Sequence, residues 1–441
     1  MYAKGVKRSR QCFCRQILVY FKDIIRMFIK KIRKFILKLW WCWGLFSILC
    51  LVSMYCQRSE SNRFDVGDGE IPVIVWWTNG FFNENGIKTC YNNIKCAIIN
   101  DRQLNVKNVD GYLFYGSTIN LDDLPLPRRQ DNIIWALFHE ESPRNVEEFM
   151  HEEMLNLFNF SATFSRYSNV PFPLQYLDSV HDITSTKYYF NTSVKNSHLE
   201  HIAPIMYLQS DCETSSERDD YVKELMKFIQ VDSYGACLNN KAMPQKFKSD
   251  YLNNLNDPEF LKFIARYKFI IAIENGVCED YLTEKFWRPI KVGAVPIYFG
   301  SPSIQDWLPN NKSAILIKDY PTPKAMYEYI RLLLDNDELY EEHLEHKTKS
   351  VITNKRILQE LQQRPYQNDA IKTAEILECF VCRKLHEKKK EDKYIVTKDH
   401  YNCPQPISAL TLQVNPHNTW LFSWKSAKLK VEELYKVING K

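Results

Sequence analysis

The stretch FIIAIENGVCEDYLTEKFWRPIKVGAVPIYFGSPSIQDWLP, Phe269 to Pro309, decides the fold. It opens on an apolar run, Phe269 to Ile273, whose length and β-branched content predict a strand buried on both faces. A polar cluster follows at once: Glu274, Asn275, Glu279, Asp280, Tyr281, Thr283, Glu284 and Lys285. A second apolar run, Val292 to Phe299, stops at Gly300-Ser301-Pro302, and Thr283 to Lys291 between the two reads as helix. Strand, loop, helix, strand is the unit of an open α/β sheet, which binds ligands at the carboxyl ends of its strands. As residue types alone, the charges also fit a solvated loop and helix face.

The same rhythm extends outward in both directions. Upstream, Ile71 to Trp77, Tyr112 to Tyr115 and Asn132 to Phe138 read as buried strands, followed by helical character from Val146 to Phe158. It resumes after residue 203, with strands at Ile205 to Leu208, Ala294 to Phe299 and Ala314 to Ile317 and a helix at Asp219 to Ile229. Thr322-Pro323 caps a further helix, on which Met326, Ile330 and Leu333 share one face. The expectation is an α/β protein of GT-B architecture, two Rossmann-like domains facing a cleft, at residues 71–203 and 204–370. Residues 371–441, which change character after Cys382, form a Cys-containing C-terminal extension.

Charge is unevenly placed. Residues 1–38 hold twelve Lys or Arg and one acid, a charge of +11, so the total of +5 leaves −6 for the rest. A mildly acidic folded part excludes a nucleic-acid reader, which needs basic surface on its domain. Leu39 to Cys56 is uncharged and as a helix spans about 27 Å, enough for a bilayer core. Trp40, Trp41 and Trp43 suit the interface, and the basic block sets residues 1–38 in the cytosol. The reading is a transmembrane signal-anchor at 39–56 and a stem at 57–70, with everything beyond luminal. A long basic lead without a small-residue cleavage pattern argues against a cleaved signal peptide.

Eight cysteines then lie in an oxidising compartment, Cys90, Cys96, Cys212, Cys237, Cys278, Cys379, Cys382 and Cys403, an even number that reads as disulfides. Cys379-x-x-Cys382 lacks a second CxxC or paired His to complete a zinc site. Three sequons at Asn159, Asn191 and Asn311 are usable only in the lumen.

The opening stretch resembles the donor-binding signature of the α1,3-fucosyltransferases, glycosyltransferase family 10. There a Glu-Asn pair leads to Asp-Tyr-(aliphatic)-Thr-Glu-Lys, as in Glu274-Asn275 and Asp280 to Lys285, and VPIYFGSPSIQDWLP also matches. The resemblance spans Ile71 to Cys382. In detail (YLQSDC, VDSYGACL, GSPSIQDWLP) the chain is similar to the branch of protein O-fucosyltransferases acting on EMI modules. It implies GDP-fucose as donor, the GT-B fold, and a clamp of Cys90 and Cys96 onto Cys379 and Cys382.

The chain has no GxGxxG or GxxxxGK[ST], so a diphosphate must be held by side chains. Lys285 is one candidate. Arg218 is the other, because the family places a Ser-Asn pair after a strand and an Arg seven residues on. Here Ser210-Asp211 and Arg218 keep that spacing, with Asp211 in place of Asn. By the same resemblance Asn275, Tyr281 and Glu284 orient ribose, fucose and Lys285, although Glu284 also suits a plain helix start.

Ala136-Leu-Phe-His139-Glu140-Glu141-Ser142-Pro143 follows a strand of the first half. The family's ESP motif carries the catalytic base, which falls on Glu141, with Glu140 as the adjacent competitor. An inverting transfer needs one carboxylate to take the acceptor hydroxyl proton during in-line attack at the anomeric carbon. No cofactor is required: with two cations facing the leaving group, a divalent metal is at most stimulatory, and neither Asp122-Asp123 nor Asp335-Asn-Asp337 makes a metal site. The expected partners are GDP-fucose, a glycoprotein or folded protein acceptor, and the bilayer through residues 39–56. The acceptor is a Ser/Thr hydroxyl on an EMI-type module, with α1,3-fucosylation of GlcNAc as the alternative. The expected location is the endoplasmic reticulum membrane, or else the Golgi. A catalytically dead, lectin-like membrane protein is the rival class; it would have lost the base or both cations.

Overall fold

The computed structural model describes residues 71–78, 85–100, 102, 108–126, 133–247, 256–387 and 394–438. Residues 1–70, which carry the expected cytosolic tail, anchor at 39–56 and stem at 57–70, lie outside the described residues. Among the described residues no helix is long and apolar enough to cross a membrane.

Two sheets organise the chain. The first is formed by β1 (Val73–Trp76), β2 (Gly86–Thr89), β3 (Lys95–Ile99), β4 (Gly111–Tyr115), β5 (Ile134–His139) and β6 (Phe160–Thr163), in the order β2-β3-β1-β4-β5-β6. All pairings are parallel except β2 with β3. The second has β7 (Ile205–Gln209), β8 (Val231–Gly235), β9 (Phe269–Ile273), β10 (Val295–Phe299) and β11 (Ile315–Leu316), all parallel, in the order β11-β10-β9-β7-β8. Every residue of β9 is buried, as its apolar run requires in a strand covered by helices on both faces.

In the second sheet the strand order reverses between β7 and β9. Crossovers leave those two strands toward opposite faces, so a crevice opens between their carboxyl ends. Gln209-Ser210-Asp211 leaves one strand and Glu274-Asn275 the other. The helix that follows β9, Glu284–Val292, begins where Thr283 Oγ1 accepts from the Lys285 N–H and ends at Gly293 in the left-handed region.

The helical character expected across Val146–Phe158 resolves into a 3-10 turn, Glu147–Met150, and a single turn, Glu152–Leu155, broken at an extended His151. The segment after residue 370 is built into the first sheet rather than appended to it. The helix Ala370–Glu387 packs Ala374, Leu377 and Val381 on Ile74, Trp76, Leu113 and Ala136. Trp76 Nε1 and Lys88 Nζ donate to the two carboxylate oxygens of its Glu378, at 2.8 and 2.6 Å. Disulfides Cys90–Cys379 and Cys96–Cys382 fasten it to the strand edge. The other face is covered by Val396, Tyr401 and Val431, packed with Phe114, Trp135 and Leu137.

Candidate active site

Arg218 opens the helix Arg218–Leu225 and is fully buried. A buried guanidinium needs partners for its donors. Its Nη1 donates to Asn275 Oδ1 at 2.6 Å, and its Nη2 donates to the Asp211 carbonyl and lies 3.8 Å from Asp211 Oδ2. Three expected site residues, from the ends of β7 and β9 and the helix between, therefore converge at the crevice. Asp211 also receives Arg144, three residues past Glu141, so its carboxylate stands between cations from both halves of the chain. Ser210 sits at the same strand end, exposed, with no hydrogen bond among the described residues.

Lys285 is nearly enclosed. Its ammonium lies 3.2 Å from Glu284 and 3.7 Å from Glu274 and donates to Thr283 Oγ1 at 3.1 Å. Burial alone would lower its pKa; the two carboxylates outweigh that and raise it. The field of Arg218 acts on it in the opposite sense. Glu284, despite its own burial, is held down to about 2 by Lys285 and by Arg288 one turn along. Glu274 is wholly buried, and its carboxylate is spent on the Thr283 N–H and hydroxyl, shaping the loop. Arg288 lines, with Glu284, Lys285, Leu208 and Gln209, a small cavity of about 40 Å³. Sequence reasoning passed Arg288 over; its place three residues after Lys285, on the same helix face, was the available signal.

The adjacent carboxylates behind β5 separate in direction. Glu141 turns toward the second sheet's loop, where Tyr281 donates to its Oε2 at 3.0 Å. Glu140 turns back to the hydroxyl of Tyr115 at the end of β4, and its second oxygen is buried without a hydrogen bond. Burial pushes Glu140 up to about 7, against the lowering pull of the Tyr115 hydrogen bond. His139 is fully buried against the rings of Phe149 and Tyr401, and that burial lowers its pKa to about 3, so near pH 7 it is the neutral imidazole with a single ring N–H. A Cβ at Gly116 would lie 2.5 Å from His139 Nδ1, so only glycine fits beside the ring.

Tyr281 is wholly buried, and its pKa is raised first by burial and then by the charge of Glu141, with Glu274 and Glu284 adding to it. A single phenol thus feels carboxylates from both halves. Asp280, at φ 64°, anchors the loop: its carboxylate takes a bidentate grip from Arg166 and bonds from Trp307 Nε1 and Ser303.

Of the aromatics upstream, Trp76, Phe160, Phe164 and Phe172 belong to the core, while Tyr167 is exposed. Phe81 and Phe82 lie outside the described residues. Asp123 pairs with Arg102, and Asp337 with Lys268. Two further disulfides join Cys212–Cys237 and Cys278–Cys403. Among the described residues, the clusters with metal-ligand spacing both contain cysteines consumed in these bridges. Asn191 and Asn311 are exposed; Asn159 is half-buried, its amide joining Trp135 N–H and Tyr394 C=O.

Comparison with known proteins gives concordant matches. The family profile described as "Glycosyltransferase family 10 (fucosyltransferase) C-term" matches residues 199–400, and "Fucosyltransferase, N-terminal" matches 69–175. The human GDP-fucose protein O-fucosyltransferase 3 is 40% identical over 384 residues, 82% of this chain and 78% of the human one. The Drosophila melanogaster α-(1,3)-fucosyltransferase B is 43% identical over 366 residues, 81% of each. A solved α1,3-fucosyltransferase with GDP aligns with 77% of this chain and 97% of its own, at 15% identity and a TM-score of 0.41.

Proposed function

Because this chain belongs to glycosyltransferase family 10, the fucosyltransferases, we propose that it transfers L-fucose from GDP-β-L-fucose to a Ser/Thr hydroxyl of a folded secretory-pathway protein, with EMI-type modules favoured. The observation that carries this reading is the 3.0 Å contact between the Glu141 carboxylate and Tyr281. It sets the Glu141 carboxylate of the first half's ESP loop against the loop after β9 in the second.

The transfer inverts the anomeric centre. The acceptor oxygen forms its bond to the anomeric carbon from the face opposite the diphosphate, and the bond from that carbon to the phosphate oxygen breaks. The electron pair leaves on GDP and the hydroxyl proton passes to Glu141. Arg218 and Lys285 hold the diphosphate and stabilise the charge that develops on it as the bond breaks, so the departing group is neutralised by fixed side chains. Asn275 sets the Arg218 fork, Glu284 sets Lys285, and Tyr281 fixes the base. Ser210 and Asp211 border the nucleotide at the end of β7. The two α/β halves form a GT-B enzyme, divided near residue 204. Residues 39–56 anchor it as a type II membrane protein with the catalytic part luminal, in the endoplasmic reticulum.

The protein acceptor is supported by the name of the human relative, and a glycan acceptor by that of the Drosophila one. The deciding assay offers labelled GDP-fucose to a folded EMI module and to a GlcNAc-terminated glycan side by side. Transfer to the module alone supports the reading; transfer to the glycan alone replaces it.

A further inference from the structure

The family profile ends at residue 400, and the chain that follows touches every loop of the proposed centre. Tyr401 is buried, its ring against His139, Phe149 and Phe164. Its hydroxyl donates to the backbone carbonyl of Glu141 at 2.7 Å. Asn402 accepts from the Glu279 N–H at 2.8 Å and donates to the Glu279 carboxylate at 3.0 Å. Cys403 is bonded to Cys278, three residues before Tyr281. Further on, the strap reaches the loop that delivers Arg218. The Ala409 N–H donates to Ser216 C=O at 2.8 Å, Asn415 Nδ2 to Glu217 Oε1 at 2.7 Å, Asn418 Nδ2 to Ser215 C=O at 3.0 Å and Trp420 Nε1 to Glu213 C=O at 2.7 Å.

We propose that residues 401–420 are a positioning strap for catalysis: Tyr401 sets the base Glu141 through its peptide carbonyl, and Asn418 sets the diphosphate-binding Arg218 through its loop. The inference rests on the fucosyl-transfer reading and deepens it.

The physical case is one of over-determination. Glu141 lies in a bend directly after β5 and is not braced by any helix or strand of its own. Its backbone is held by Tyr401 and its carboxylate by Tyr281, and the Cys278–Cys403 bridge joins the two segments carrying those tyrosines. The strap thereby fixes the base relative to the donor loop as well as to its own sheet. Arg218 follows Glu217, a residue at φ 49°, a left-handed conformation that costs free energy outside glycine and persists only when its surroundings impose it. The Asn415 contact to that Glu217 side chain and the Asn418 contact two residues earlier are what impose it. Displacement of a reacting group by about 1 Å costs on the order of a hundredfold in rate, so small losses of bracing register in turnover.

The two ends of the strap give separable signatures in the intact luminal protein. Tyr401→Phe keeps the ring packing and removes only the donor to Glu141. The expected result is a kcat lowered about tenfold per folded molecule with GDP affinity unchanged, beside the modest drop in melting midpoint that one lost hydrogen bond brings. Asn418→Ser keeps an oxygen to cap Trp420 N–H but loses the reach to Ser215. The expected result there is GDP affinity weakened about fivefold, with kcat at saturating donor unchanged. A merely structural strap would lower the melting midpoint in both variants and leave kcat and affinity per folded molecule as in the wild type; that outcome overturns the proposal. Should Tyr401→Phe fail to fold, the GDP titration of Asn418→Ser decides alone. A wild-type protein that transfers no fucose would sink the reading of function instead, which keeps the two failures apart.

Discussion

The hydroxyl of Tyr281 donates to Glu141 Oε2 at 3.0 Å, across 140 residues of sequence and between the loops that follow β9 and β5. This contact aims the carboxylate at the donor loop. Glu141→Gln preserves shape and accepts no proton. We expect it to bind GDP as the wild type does while turnover falls by about two to four orders of magnitude, the range for loss of a general base. Isothermal titration and a GDP-release assay on one preparation check this; a wild-type rate would remove Glu141 from the role.

Arg218 is the cation most committed to the crevice, with Asn275 and Asp211 fixing its fork. Hydrogen bonds to charged groups contribute roughly 1.5–3 kcal/mol each. Arg218→Ala should therefore raise the Kd for GDP at least about tenfold, while Arg218→Lys, which lacks the planar fork, should recover only part. Equal affinity in all three proteins would refute the diphosphate contact.

Asp211 brings a negative charge to the proposed diphosphate site, and Arg144 is positioned to offset it. Arg144→Ala should weaken GDP binding several-fold by leaving that carboxylate facing the phosphates. Adding Asp211→Asn to that background should restore affinity, so that the double variant loses less than the sum of the single changes and the cycle shows a non-zero interaction free energy. Additive losses in the cycle would show that the pair is independent.

Glu140 gives a pH signature. Burial raises its folded-state pKa from the ordinary carboxylate value to about 7, so the folded protein binds the extra proton. Stability from that proton is present below the unfolded pKa and is lost as pH rises toward 7. Glu140→Gln should therefore melt higher than wild type at pH 8, by up to about 3 kcal/mol, and match it near pH 4.5. Melting curves at both pH values test this; parallel curves would mean that Glu140 is solvated.

Much of the second half was legible because its strands are short apolar runs between polar signals. Phe269–Ile273 begins and ends where its run does, and Thr283 caps the helix that its position announces. In the first half, β6 escaped notice because it reads FSAT. Its Ser161 and Thr163 are buried and turn to His400, a partner more than 230 residues away that no local pattern reveals. The second-half strand β8, VDSYG, escaped for a similar reason: Asp232 and Ser233 break its apolar run. Of the candidate site, spacing and resemblance singled out Glu141, Arg218 and Lys285, and the coordinates add that Glu141 faces Tyr281 while Glu140 turns back to Tyr115. Nothing around Tyr401 hinted at its contact, since its partner is set by tertiary packing alone.

The bridges Cys90–Cys379 and Cys96–Cys382 span 289 and 286 residues. A ribosome delivering this chain vectorially would release all of β7 to β11 before the helix Ala370–Glu387, so the second sheet can assemble in order of emergence. The first sheet cannot: the helix over one face and the segment 396–431 over the other both follow the whole second sheet, and until the helix emerges Ile74, Trp76 and Leu113 lack their apolar cover. A nascent chain arrested before residue 370 would consequently hold an unprotected front half, with Cys90, Cys96 and Cys278 all without their partners.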